Sequence, residues 1–142
     1  MTATKAKPKA QGASPSPASA LSATSEARLE GVDAKLVALV RLARELSPIP
    51  FEITEGLRSL ERQRYLVRTG KSRTLNSYHL RGKAIDFVAM PKGVVSWELK
   101  HYKAIVEKGF KPAAAKLKLE GVVTYGIYWK SIVDGPHVQI ET

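Results

Sequence analysis

Apolar side chains recur at helical spacing at Leu29, Val32, Leu36, Leu39, Val40, Ala43 and Leu46, and the run stops at Pro48 and Pro50. With Thr24 or Ser25 as N-cap, the pattern predicts one amphipathic helix of about six turns. Phe51 to Thr54 alternates as a short strand. Ser59 then caps a second helix through Leu66, closed by Gly70, and a polar loop spans Lys71 to Tyr78. Ala84 to Met90 has the continuous apolar character of a buried strand. Ser96 to Lys108 predicts a third helix, and Pro112 to Leu119 a short Ala- and Lys-rich helix ended by Gly121. Val122 to Tyr125 and His137 to Ile140 complete the pattern as strands. The strands are short and their connections too irregular for a βαβ series, which predicts an α+β fold: a small antiparallel sheet with helices packed on it. The chain contains no internal repeat.

Composition changes this picture at one end. Residues 1 to 25 are nearly all Ala, Ser, Pro, Thr and Lys, with no acidic and no aromatic residue. Such a segment cannot bury enough apolar surface to offset its ordering entropy, so it reads as a flexible basic tail ahead of one domain, 26 to 142. The whole chain has 142 residues, 44% of them hydrophobic and 25% charged, as expected of a soluble globular domain. Cysteine is absent, which excludes disulfide scaffolds, thiol nucleophiles and Cys-ligated metals. A metal would have to be held by His and carboxylates.

Charge narrows the partner. Lys and Arg number 23 against 13 Asp and Glu, a formal balance of +10. The tail contributes three of these charges, so the domain itself is basic. Nucleic acid, an anionic membrane surface and bacterial cell wall are all partners that such a balance suits. No nucleic-acid motif is present, and no apolar run is long enough to span a membrane. No apolar run follows Lys5, Lys7 and Lys9 either, so the expectation is a chain without a signal peptide, made in a cytoplasm and soluble there. A monomer is expected.

Candidate chemistry gathers around two of the three histidines. His79 lies in Ser77-Tyr78-His79-Leu80-Arg81-Gly82-Lys83-Ala84-Ile85-Asp86, and His137 in Asp134-Gly135-Pro136-His137. A catalytic zinc site commonly uses two His and one carboxylate and leaves a fourth position for water. His79, Asp86 and His137 would supply that set, with Gly82 giving the backbone freedom to aim the first two at one point. Asp134, on a constrained turn, could reach the metal-bound water without being a ligand, as a general base must. Taken singly, a His beside a strand or an Asp-Gly-Pro turn is ordinary structure. His101, beside Tyr102 in a helix with no carboxylate at ligand spacing, reads as packing or surface.

The string Ser77-x-His79-x-x-Gly82-x-Ala84-x-Asp86, followed by Asp134-x-Pro136-His137, resembles the bacterial cell-wall zinc peptidases. That family comprises D-alanyl-D-alanine carboxypeptidases and phage L-alanyl-D-glutamate endopeptidases. Five specified residues at usages of about 5% each recur by chance on the order of 10⁻⁷ per start, so the first motif is specific. Upstream, Ile53-Thr54-Glu55-Gly56-Leu57-Arg58-Ser59, Gln63, Leu66 and Gly70-Lys71-Ser72 resemble the strand, turn and helix that precede the zinc loop in the family. The likeness runs from about residue 30 to 142. Two departures stand out. Tyr125-Gly126-Ile127-Tyr128-Trp129 replaces a Trp-Gly-Gly-x-Trp type segment, and Asp134 stands where the carboxypeptidases more usually carry Glu, which leans toward the phage endolysin branch.

The resemblance implies a single zinc-peptidase domain with zinc on His79, Asp86 and His137, and Asp134 as catalytic carboxylate. It implies Arg58 facing the scissile carbonyl, with Ser77 and Gln63 on the substrate side. The implied substrate is bacterial peptidoglycan, cut at the L-alanyl-D-glutamate bond. It further implies accumulation in a host cytoplasm before release to the wall, with no nucleic-acid partner and no stable membrane insertion. Two other readings remain open on sequence: a D-alanyl-D-alanine carboxypeptidase, and a non-enzymatic metal-containing module that binds cell wall.

Overall fold

A computed structural model describes residues 20–142. The expected tail over residues 1–25 lies mostly outside them, but its last residues are packed. Ser22 caps helix α1 (Ala23–Arg28), Leu21 is buried, and the buried Ser25 hydroxyl donates to Glu52 Oε1 at 2.5 Å and accepts from the Ile53 amide. The domain therefore begins before residue 26. Composition hides this, because Ser22 and Ser25 act through a few hydrogen bonds, to the helix end and to a strand far along the chain.

The predicted six-turn helix is two helices. After α1 the chain turns at Gly31, with φ of +82°, and Asp33 caps α2 (Ala34–Leu46) through its side chain. The apolar positions on either side of this break face the same core, which is why their spacing reads as one helix. Strand β1 (Phe51–Glu55) and helix α3 (Leu60–Arg68), capped by Ser59 and followed by Gly70 at positive φ, form as expected. Strand β2 (Ala84–Ala89) follows. The third and fourth predicted helices are joined: α4 (Leu99–Ile105) runs through a π turn, Val106–Phe110, into α5 (Lys111–Lys116). The wider π turn precedes Pro112, whose ring would crowd the carbonyl four residues back in a regular helix. Gly109 is there for packing: a Cβ on it would meet the Ala43 carbonyl oxygen at 3.0 Å. Strands β3 (Val123–Tyr125) and β4 (His137–Ile140) close the fold.

The four strands form one antiparallel sheet in the order β1-β2-β4-β3. Alternation gives the sheet two different faces. Ile53, Ile85, Phe87, Ala89, Val138 and Ile140 enter the hydrophobic core with residues of α2, α4 and α5. Phe51, Phe87 and Phe110 form its centre, with ring centroids 5.2 to 5.4 Å apart. Asp86, His137 and Gln139 alternate out of that core onto the opposite face, and Asp86 and His137 are directly paired across β2 and β4. Register shifts at the end of β1, so that Glu55 rather than Thr54 opposes Asp86. That bulge delivers a second carboxylate to the polar face.

Candidate active site

His79 stands on a short 3₁₀ turn, Tyr78–Arg81. The Ser77 hydroxyl caps the turn by accepting from the His79 amide, and Gly82 ends it in the left-handed region at φ of +68°. A Cβ at Gly82 would also lie 2.5 Å from the Gly31 carbonyl oxygen, so the backbone conformation and the close approach both require glycine. The turn is fastened to the β1–α3 connection, where the Arg58 amide donates to the His79 carbonyl at 3.0 Å.

Hydrogen bonds set the tautomer of each histidine. His79 Nδ1 lies 2.9 Å from the Gly56 carbonyl, to which it must donate, leaving the Nε2 lone pair free. His137 Nε2 lies 2.8 Å from Gln139 Oε1, which leaves Nδ1 free. Both free nitrogens face Asp86 Oδ1, each at 3.4 Å, and the donor atoms of the three residues all fall within 4.8 Å of one another. His79 Nε2 and Asp86 Oδ1 are buried with no hydrogen-bond partner. Two imidazole nitrogens and a carboxylate oxygen thus converge on one point, two of the three without a hydrogen-bond partner, an arrangement that a cation would satisfy. The donor set, two imidazole nitrogens and one carboxylate oxygen, suits an open transition-metal site better than calcium or magnesium, which prefer all-oxygen ligands. Burial alone would push the Asp86 carboxyl up, but its contacts with His137 and His79 outweigh that and hold it far below the usual carboxylate range. It stays ionised, as a ligand must.

Around this centre is a cavity of about 420 Å³, whose wall includes Arg58, Ser77, Tyr78, Trp129, Asp134 and Gln139. Asp134 is half-buried. Burial, and next the negative charge of Asp86, raise its carboxyl above the ordinary range. Its segment is held at Gly126, whose carbonyl accepts from the Asp134 amide at 3.0 Å; a Cβ at Gly126 would come within 2.3 Å of the Asp134 carbonyl oxygen. Trp129 packs against the His137 ring, with centroids 5.0 Å apart. Arg58 is locked in place: Nη1 donates to Gln63 Oε1 at 2.8 Å, Nη2 donates to Glu55 Oε1 at 2.7 Å, and Nη2 lies 3.6 Å from Asp86 Oδ2.

The structure therefore brings His79, Asp86, His137, Asp134, Arg58 and Ser77 to one cavity. Gln63 does not line it. Its side chain is fully buried and its amide is spent on Arg58, the Ser72 hydroxyl and the Thr74 carbonyl, so the expectation that it contacts substrate is corrected to a role in holding Arg58 and the following loop. Gln139 went unnoticed in the sequence. Its only signal was position, two residues after His137 on the same strand face, and it continues outward by donating to Glu141, which accepts from Tyr78 and Thr124. His101 pairs with the Ser96 hydroxyl, away from this centre, in keeping with a structural role.

Comparison with known proteins identifies the family. Over 95 residues the chain is 37% identical to the L-alanyl-D-glutamate peptidase of Listeria phage A118, covering 67% of this chain but 32% of that protein. The chain thus spans about a third of that relative's length. It is 30% identical over 131 residues to the L-alanyl-D-glutamate peptidase of Escherichia phage T5, covering 82% of this chain and 93% of that one. The crystal structure of the Serratia marcescens L-Ala D-Glu endopeptidase ChiX superposes with a TM-score of 0.78 at 48% identity, over 83% of this chain and 86% of the other. The family model for phage L-alanyl-D-glutamate peptidase matches residues 18–140, nearly the whole of the chain, which accordingly belongs to that family.

Proposed function

We propose that the protein is a zinc-dependent peptidoglycan endopeptidase that hydrolyses the L-alanyl-D-glutamate bond of cell-wall stem peptides. The observation that carries this reading is the convergence of the free nitrogens of His79 and His137 on Asp86, with a further carboxylate, Asp134, on the same cavity wall. Zinc held by those three residues would supply Lewis acidity, activating a water near neutral pH and polarising the scissile carbonyl. Asp134 accepts the proton of the attacking water and returns it to the departing amine nitrogen, so one carboxylate serves both halves of the reaction. Its raised affinity for a proton suits this exchange. Arg58, fixed by Glu55 and Gln63, presents a positive charge beside Asp86 that favours negative charge developing on the carbonyl oxygen; donors so placed are commonly worth about 3 kcal/mol. Ser77 lines the cavity while capping the turn that carries His79.

The relatives named for L-alanyl-D-glutamate cleavage support that bond over the terminal D-alanyl-D-alanine bond. The same relatives and the intact Asp134 favour an enzyme over a metal-containing binding module. In this reading the protein works as a monomer on peptidoglycan, without nucleic-acid partners or stable membrane insertion. It would gather in a host cytoplasm and reach the wall at lysis. The test is digestion of purified peptidoglycan with products identified by mass, using the protein with zinc, after chelation, and after zinc is restored. Fragments with a new amino terminus at D-glutamate, lost on chelation and regained with zinc, are the expected result. Release of terminal D-alanine would assign the carboxypeptidase reaction instead, and zinc binding without any product would assign the binding module.

A further inference from the structure

A second cavity, of about 500 Å³, adjoins the first. The two share Lys71, Ser72, Trp129 and Asp134, and beyond that seam the second is walled by Arg73 and Ile132 among others. The shared residues join the two into one cleft, with the metal-binding residues in one arm. Asp134 lines both arms. Because Asp134 must protonate the departing nitrogen, the peptide on the amine side of the scissile bond continues past it, into the second arm. This step rests on the endopeptidase function proposed above.

In an L-alanyl-D-glutamate bond, the carbon attached to that nitrogen carries a free carboxylate when the peptide continues through the side-chain carboxyl. That negative charge would arrive beside Asp134, itself negative, and would be repelled unless a cation stood at the seam. Lys71 is the cation that lines both arms. It is exposed, and neither its ammonium nor the Arg73 guanidinium has an ion pair with another described residue. Arg58, the other cation of the first arm, is already committed to Glu55 and Gln63. The loop bearing Lys71 is also fixed in place: the Gln63 amide that holds Arg58 donates to the Ser72 hydroxyl at 2.9 Å and to the Thr74 carbonyl at 2.6 Å.

We propose that the second arm is the binding site for the amine side of the stem peptide, and that Lys71 is its specificity-determining residue, pairing with the carboxylate next to the scissile nitrogen. The test uses two synthetic peptides containing L-alanyl-D-glutamyl-L-lysine linked through the glutamate side chain, one with that carboxylate free and one with it amidated. The wild-type protein should have the higher kcat/KM on the free acid. Lys71→Gln should collapse the acid-to-amide ratio about 10- to 100-fold, the usual worth of a charge-assisted pair. Lys71→Arg should restore the preference, and Lys71→Glu should invert it. A wild-type protein indifferent to amidation, or a Lys71→Gln variant that slows both peptides alike, would overturn the assignment of Lys71. If the wild type cleaves neither peptide, the endopeptidase reading itself fails and takes this proposal with it.

Discussion

Asp86 and His137 face each other across the two central strands, while Lys71, Arg73 and Asn76 stand exposed on the loop between α3 and the His79 turn. In the first region every ring and carboxylate has its direction set by a backbone carbonyl, a strand register or Gln139. In the second, the backbone is fastened from below by Gln63 and the side chains are left in solvent. The contrast separates two requirements. Ligand atoms must meet within a few tenths of an ångström to be useful to a metal, so they belong on rigid elements. Selection among substrates needs charge at roughly the right place, which an anchored loop supplies at little expense to stability.

If this division is correct, the greatest loss comes from the floor. Asp86→Ala should abolish metal binding and bring peptidoglycan cleavage to background, with metal content read by elemental analysis. Asp134→Asn comes next. Metal should be retained while kcat falls by about 10²- to 10⁴-fold, the range for removal of a general acid–base group. The wild-type acid limb should lie above the ordinary carboxylate value, because burial and then Asp86 raise the Asp134 carboxyl and its base form is lost as pH falls through that value. The same shift predicts an opposite effect on stability. The folded state holds this proton more tightly than the unfolded state, so above the folded-state value an ionised Asp134 weighs against folding. In chelated protein at neutral pH, Asp134→Asn should therefore melt higher than wild type; an equal or lower melting temperature would count against the buried, like-charged setting of this carboxylate.

Gln139 tests whether the floor depends on its outer partners. Gln139→Leu removes the acceptor that fixes the His137 tautomer and should weaken zinc affinity by about 10- to 100-fold in chelator competition. Gln139→Glu should restore most of it, and ring-nitrogen NMR of His137 should follow the same order. The smallest effect belongs to the exposed loop. Leu75 is 52% exposed on the loop, and Leu75→Ala should change unfolding free energy by no more than about 0.5 kcal/mol, measured by denaturant titration. A much larger loss there would show that the loop is part of the core and erase the distinction.

His79, Asp86 and His137 were legible in the sequence because their motifs are local and their residue types are few. Arg58 and Asp134 were legible through the same resemblance. Gln63 was not, because a polar residue near a substrate site and one buried beneath it look alike until the fold shows where its amide goes. Gly56 supplies a carbonyl, which no side-chain pattern can reveal. Among the elements, strand β1 follows from alternation, strand β2 from a continuous apolar run and helix α3 from its cap. The break at Gly31–Asp33 and the fusion of α4 with α5 do not: hydrophobic spacing reports which face is buried and is silent on whether the helix axis continues. Gly31 turns the chain between two helices by its backbone angle, whereas Gly109 sits inside one because the Ala43 carbonyl passes close by.

The order β1-β2-β4-β3 places the last strand in the chain between two that precede it. A growing or nicked chain without residues 137–140 has lost an interior strand as well as His137, and its remaining strands have no common neighbour. Assembly of the candidate metal-binding residues therefore coincides with completion of the sheet. A domain without this strand lacks a candidate metal ligand as well as the centre of its sheet, so the donor set cannot exist apart from the completed fold.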